Sequence, residues 1–320
     1  MDLLDIQGLT THFFTRAGVI KAIDNLSLRL QKGRVLGLVG ESGCGKTVTA
    51  LSILNLVPYP GKIISGKIFF EGRDLLTLSD QEMRTVRGAR ISMIFQEPMT
   101  ALNPVFTVGN QIAEVLTAHQ DISKQQAMDA AVELLRSVGI PSPEKRVAEY
   151  PHQLSGGMRQ RVMIAMAIAC KPSLILADEP TTALDVTIQA HILELLGTIQ
   201  AEMGMAMILV THDLGLIAER AHEVAVMYAG RIVEQTDTRE LFANPQHPYT
   251  RGLMASIPKP VEAGKTRLKT IPGTVPRLYE LPKGCTFAPR CEIKTAQCVA
   301  EEPELVEVKP GHLVRCWEAR

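Results

Sequence analysis

"GESGCGKT", Gly40 to Thr47, fits the spacing G-x-x-x-x-G-K-[ST], and its reading decides how the rest of the chain is understood. It follows "RVLGLVG" (Arg34–Gly40), a short apolar run of strand character, and precedes "TVTALSILNLV" (Thr47–Val57), whose pattern predicts a helix. Strand, glycine turn and helix start are the context this spacing requires. Glycines let backbone N–H groups converge on phosphate oxygens, and the helix start adds its positive dipole end. Gly40, Glu41, Ser42, Gly43, Cys44, Gly45, Lys46 and Thr47 therefore form a candidate nucleotide-binding loop. Lys46 can reach the terminal phosphates and Thr47 offers a hydroxyl to Mg²⁺. A glycine-rich turn that binds nothing is the competing reading, and the full match in context disfavours it.

Such a loop needs a carboxylate at the end of another apolar strand. "LILADEP" supplies it: Asp178 suits Mg²⁺, and Glu179 can polarise a water for in-line attack on a γ-phosphate. Further apolar strands are expected at Ile91–Phe95, Met207–Val210 and Val224–Ala229. Most are separated by helical segments, the rhythm of an α/β fold with a mainly parallel sheet covered on both faces. Ahead of the loop, alternation in "LLDIQGLTTHFF" and a β-rich stretch to Leu30 predict an antiparallel β subdomain, with a turn at Lys32 and Gly33. Between Pro98 and Lys171 the pattern turns helical, which predicts an inserted α-helical subdomain over about 98–171. From Pro258 to Pro282 the chain is rich in proline, glycine and lysine and loses periodicity. This gives a main domain over 1–256, a linker over 257–283 and a small cysteine-rich extension over 284–320.

The 320 residues allow two or three domains, and 46% hydrophobic with 21% charged residues is ordinary for a soluble globular chain. Formal net charge is +0, so no global basic field argues for nucleic acid or an anionic membrane. "MDLLDIQGLTTHF" has no basic segment followed by an apolar block, so no signal peptide is expected. The longest apolar run, Val162–Cys170, is far short of a bilayer span and reads as a buried helix.

"LSGGMRQ", Leu154 to Gln160, sets Ser155, Gly156 and Gly157 just before an amphipathic helix, so N–H groups and a hydroxyl face outward at a positive helix end. A serine helix cap is the bland alternative. With "GESGCGKT", "LSGGMRQR", "LILADEPTTALD" and "ILVTHD" in this order, the chain resembles the ATPase subunit of an ATP-binding-cassette (ABC) transporter from Leu3 to about Gly230. The resemblance implies a P-loop NTPase core of the ABC type, with ATP sandwiched between two cassettes placed head to tail. Leu154, Ser155, Gly156, Gly157 and Gln160 would then act on nucleotide held mainly by the partner. It further implies that Gln96 meets Mg²⁺ and the attacking water, that His212 senses the γ-phosphate, and that Asp185 lies in a loop crossing the dimer interface. Phe13 is the candidate for stacking on adenine, with neighbouring Phe14 as the alternative.

Within that family, "SMIFQEPMTALNPVFTVGNQI" (Ser92–Ile112) resembles the segment of peptide and nickel importers that receives a cytoplasmic coupling helix. "PQHPYTRGLMASIP" extends the likeness to the dipeptide/oligopeptide branch. The implied partners are a second, related but distinct ATPase subunit, two transmembrane permeases and an extracytoplasmic solute-binding protein, at the cytoplasmic face of the inner membrane. No nucleic acid is expected. The alternatives are an importer of nickel or another solute, and a soluble ABC ATPase of DNA repair or translation. The latter would carry a long coiled-coil insert or a second cassette.

Cys285, Cys291, Cys298 and Cys316 are separated by five, six and seventeen residues. Neither tight zinc knuckles nor the common ferredoxin runs match, so spacing gives a four-cysteine metal site of open identity. The resemblance to dipeptide importers implies a [4Fe–4S] cluster there, with zinc as the alternative. Cys44 and Cys170 read as unrelated to it.

Overall fold

In a computed structural model of the chain, the described residues are 2–182, 184–257 and 270–319. Residues 258–269 of the expected linker, and Ala183, lie outside the described residues. Asp2–Leu30, Val35–Leu76 and Leu209–Arg320 make one compact unit, and Gln31–Arg34 with Thr77–Ile208 make another.

The chain opens with β1 (Asp2–Thr15), β2 (Gly18–Gln31), β3 (Val35–Val39), α1 (Lys46–Ile53), β4 (Gly61–Phe70) and β5 (Arg73–Asp74). The expected antiparallel sheet is present, in the order β2-β1-β4-β5. β1 sets Ile6 opposite Ile68 and Phe13 opposite Gly61 on β4. Leu4, Ile6, Leu9 and Ile68 are fully buried on its inner face; each such side chain contributes about 1.5–3 kcal/mol of transfer free energy. β3 is buried at all five positions, as a strand covered on both faces must be. α1 is shorter than its periodicity predicts. It stops at Ile53 because Asn55 takes a left-handed φ of 51° and Pro58 follows.

The second unit holds α2 (Asp80–Val86), β6 (Ile91–Ile94), α3 (Pro98–Ala101), α4 (Val108–His119), α5 (Lys124–Ser137), α6 (Pro143–Arg146), α7 (Gly156–Ile168), β7 (Leu174–Asp178) and α8 (Val186–Met203). β6 and β7 run parallel, with Ile91 beside Leu174 and Ile94 beside Ala177. Side-chain caps start the helices: Thr107 for α4, a Ser123–Gln126 capping box for α5, Ser155 for α7 and Asp185 for α8. The helix after the signature is less amphipathic than expected. Val162 to Ala165, Ala167 and Ile168 of α7 are all buried, because α7 packs against α3, α4, α5, α8 and β6 and is enclosed on most sides.

After β8 (Ala206–Thr211) come α9 (Leu214–Arg220), β9 (Glu223–Tyr228), β10 (Arg231–Asp237), α10 (Thr238–Ala243), α11 (Pro248–Ala255), α12 (Ala296–Ala300), β11 (Val306–Lys309) and β12 (His312–Val314). In the first unit these strands lie in the order β11-β12-β10-β9-β3. β3 and β9 are parallel, whereas β10, β12 and β11 continue antiparallel, with Glu234 opposite Val314. The carboxylate of Glu234, 0% exposed, joins three elements. It accepts from Gln246 N–H (2.7 Å), His247 N–H (2.9 Å) and His312 Nε2 (2.7 Å). A buried carboxylate needs such partners to offset its lost hydration. No helix among the described residues is long and apolar enough to cross a membrane.

Candidate functional site

The phosphate loop folds over itself at the N-terminus of α1. Lys46 is 5% exposed, and its Nζ donates to the carbonyls of Gly40 at 2.9 Å and Glu41 at 3.2 Å. An ammonium held by loop carbonyls is positioned to turn toward a better anionic acceptor. Gly45 is the residue that permits the turn: it has φ 108°, and a Cβ there would lie 2.3 Å from the Ala22 carbonyl oxygen. A Cβ at Gly40 would lie 2.2 Å from the Met227 carbonyl oxygen. Ser42, Gly43 and Thr47 are exposed along the loop, while Cys44 is fully buried beneath it. Burial pushes the Cys44 thiol up, so it packs as a small apolar group. Backbone N–H groups, one cation and a hydroxyl at a helix start fit a polyphosphate with its Mg²⁺.

In the same unit, Phe13 is half-buried, with Gly61 so close that a Cβ there would meet its ring at 2.7 Å; Phe14 is 47% exposed. His212 is exposed on the bend directly after β8.

In the other unit Asp178 ends β7 at 2% exposure, and Glu179 follows it with a left-handed φ of 43°. A non-glycine residue held there is strained by about 1–3 kcal/mol, and its surroundings must enforce it. They do: Oε2 of Glu179 accepts from Gln96 Nε2 and from Thr182 Oγ1, each at 3.0 Å. Gln96 sits just past the end of β6, so the parallel register of β6 and β7 brings the two motifs together. Thr182 was missed by motif reasoning, although it lies inside the quoted "ADEPTTALD".

Ser155 caps α7, its Oγ accepting from Met158 N–H at 3.4 Å, and remains exposed beside Gly156. The cap and the exposed loop thus coexist. Leu154 and Gln160 are 3% and 1% exposed, so they support the loop from within and do not present themselves beside Ser155. Gly157 allows close packing, since a Cβ would lie 2.9 Å from Ile188 of α8. Asp185 accepts from Ile188 N–H at 3.0 Å, and the next residue, Val186, is 82% exposed. Phe95, Met99, Val105 and Phe106 are 41%, 64%, 71% and 50% exposed, and a groove beside them is lined by Ser92, Phe95, Ala101, Leu102, Met163 and Met166.

The six cysteines are free thiols. Cys285, Cys291, Cys298 and Cys316 line one small cavity, with His247, Phe287 and Trp317 around it. Burial pushes the Cys285 thiol up to about 11 and raises those of Cys291 and Cys316. Among the described residues no group of three or more His, Cys, Asp or Glu side chains is gathered as a single-ion metal site. The four cysteines share the lining of one cavity without forming a metal-ion site among the described residues.

Comparison with known proteins places these features. A family model described as "ABC transporter" matches residues 23–182, and one described as "Oligopeptide/dipeptide transporter, C-terminal region" matches 233–298. The chain is 53% identical over 318 residues to a probable peptide ABC transporter ATP-binding protein of Sinorhizobium fredii, covering 99% of this chain and 95% of that one. It is 49% identical over 316 residues to the dipeptide transport ATP-binding protein of Escherichia coli, covering 99% and 96%. Among solved structures, a dimeric post-hydrolysis state of the ATP-binding cassette MJ0796 bound to ADP and Pi matches with a TM-score of 0.67 and 27% identity, over 74% of this chain and 99% of that one.

Proposed function

The chain belongs to the ABC transporter family, and from that premise we propose that it is the ATP-hydrolysing subunit of a peptide importer, with dipeptides as the favoured cargo. One observation carries the reading: the likeness to dipeptide transport proteins runs the length of the chain, tail included. On this reading Gly40–Thr47 binds the ATP phosphates, Phe13 stacks on adenine, and Lys46 and His212 stabilise charge on the transferred phosphoryl group. Glu179 orients the attacking water, with its carboxylate aimed by Gln96 and Thr182. Mg²⁺, held by Thr47, Asp178 and Gln96, would neutralise charge on the phosphates. Ser155, Gly156 and Gly157 act on nucleotide of a partner cassette, a related but distinct chain, and Asp185 with Val186 faces that partner.

The exposed apolar side chains Phe95, Met99, Val105 and Phe106 suit a permease coupling helix, since contiguous apolar surface marks a docking site. The cassette would thus be peripheral at the cytoplasmic face of the inner membrane, with two permeases and a solute-binding protein completing the importer. The domain division 1–256, 257–283 and 284–320 belongs to the same proposal. So does a [4Fe–4S] cluster on Cys285, Cys291, Cys298 and Cys316, with zinc as the alternative. What supports it is that four cysteines, the ligand type such clusters use, line one cavity.

Glu179→Gln in the assembled importer tests the catalytic assignment. Nucleotide binding is expected to persist while steady-state hydrolysis falls by ~10²–10³, and uptake of a labelled dipeptide stops with it. Hydrolysis at the wild-type rate overturns the role of Glu179. Hydrolysis loss without any effect on dipeptide uptake overturns the cargo.

A further inference from the structure

Glu41, the second residue of the phosphate loop, is gripped by two later stretches of the same unit. Arg290 precedes Cys291 and places Nη1 2.6 Å from Oε2 of Glu41 and Nη2 3.0 Å from Oε1. Two parallel N–H···O bonds of this kind are the strongest contact a guanidinium makes with a carboxylate. On the backbone side, Glu41 N–H donates to the hydroxyl of Tyr249 in α11 at 2.8 Å.

Neither partner has slack. The Arg290 side chain is 4% exposed, and its Nε donates to the Pro272 carbonyl at 2.9 Å. Its guanidinium lies 5.8 Å from the Tyr228 ring centroid and 6.0 Å from that of Phe287. The rings of Tyr228, Tyr249 and Phe287 pack with centroids 4.7, 5.2 and 5.5 Å apart, a solid aromatic block.

The effect reaches the loop through one carbonyl. Glu41 C=O is one of the two carbonyls seen to accept from Lys46 Nζ, beside Gly40 C=O and the Cys44 sulfur, so fixing Glu41 fixes part of the lysine's seat. Pairing with Arg290 also offsets the Glu41 charge, which would otherwise oppose an incoming polyphosphate. We propose that Arg290, together with Tyr249, is a positioning residue of the phosphate loop, so that the C-terminal segment sets the loop's affinity for nucleotide. This rests on the reading of Gly40–Thr47 as the nucleotide loop. A bridge with only a structural role would change stability and leave that affinity alone.

The test uses the full chain, titrated with a fluorescent ATP analogue and Mg²⁺, with thermal unfolding measured separately without nucleotide. Arg290→Gln is expected to weaken binding about ten- to a hundredfold by leaving a bare carboxylate in the loop. Adding Glu41→Gln to it recovers most of the loss, and Arg290→Lys, which keeps charge but not the fork, falls between. In the assembled importer the KM for ATP rises while kcat at saturation stays within about twofold. Should Arg290→Gln fail to fold, Glu41→Gln alone must still weaken binding several-fold. Wild-type affinity in both Arg290→Gln and Glu41→Gln, with only the unfolding temperature lowered, overturns the proposal. Failure of the wild-type chain itself to bind nucleotide overturns the reading beneath it instead.

Discussion

The phosphate loop and the cysteine tail share one compact unit, yet they are built by different means. The loop is a local object. Its shape follows from glycines at fixed positions, a helix start and one lysine folded back on the carbonyls of Gly40 and Glu41, six and five residues before it. The tail gathers Cys285, Cys291, Cys298 and Cys316 around one cavity although they span 32 positions of chain, as 316 − 285 + 1. It takes its geometry from partners far away in sequence: β12 on β10, Arg290 on Glu41, and Glu302 on Arg231 at 2.7 Å. Local encoding makes a motif readable and intolerant of single atoms. Distributed encoding makes a region readable only as composition, and more tolerant of any one change.

The most severe way to break that comparison is to add one carbon to the loop. In Gly45→Ala the new Cβ would overlap the Ala22 carbonyl oxygen and the residue would hold a left-handed φ, costing about 1–2 kcal/mol for handedness alone. With the steric overlap added, nucleotide affinity is expected to fall on the order of a thousandfold, about 4 kcal/mol. Titration of the purified variant measures it. Binding within tenfold of wild type would show that the loop adapts as readily as the tail.

A milder probe compares the two regions through their thiols. Cys44 is 0% exposed beneath the loop, and burial raises its thiol, so both access and thiolate fraction are low. Alkylation of Cys44 in the folded chain is expected to be at least about a hundredfold slower than in urea. Partly exposed Cys170 is expected to show a smaller difference. Peptide mass mapping over time separates them; equal rates for Cys44 in folded and unfolded chain would mean the loop opens freely.

These two regions also show how much was legible in the sequence. The loop, the Asp178–Glu179 pair and the signature stretch could be placed because each is a short run whose spacing sets its own backbone. Strands β3, β6, β7, β8 and β9 could be placed from apolar runs within a residue or two. β10 was missed even though "RIVEQTD" has strand character, because an acidic residue at its centre looks solvated. Glu234 is instead fully buried, with three donors drawn from Gln246, His247 and His312. The tail strands β11 and β12 are short and their burial depends on β10, so nothing local announces them. The same holds for Arg290 and Tyr249. Each reads as an ordinary residue until folding sets it 249 or 208 positions away against Glu41.

Acid sensitivity probes the buried start of α11, the helix whose Tyr249 meets the loop. His247 caps this helix, its Nδ1 accepting from Tyr249 N–H at 3.1 Å, while its own N–H donates to Glu234 at 2.9 Å. Burial holds its imidazole down at about 3; a hydrogen bond with the Arg315 backbone works against this, and the charges of Arg315 and Arg251 add to it. An unfolded histidine titrates near ~6.5, so on acidification the unfolded chain takes the proton first. The folded-state pKa is the lower one, so this contribution is full above about 6.5 and is lost as pH falls from there toward 3. One group gives a slope of at most about 1.4 kcal/mol per pH unit, a tenfold change in the folding equilibrium. His247→Asn keeps a side-chain acceptor for the Tyr249 N–H and cannot be protonated, so its urea midpoints are expected to depend less on pH between about 6.5 and 4. Parallel pH profiles for the two proteins would assign the acid sensitivity to other groups. A flatter profile for the variant would assign that share of the acid sensitivity of folding to this one buried imidazole.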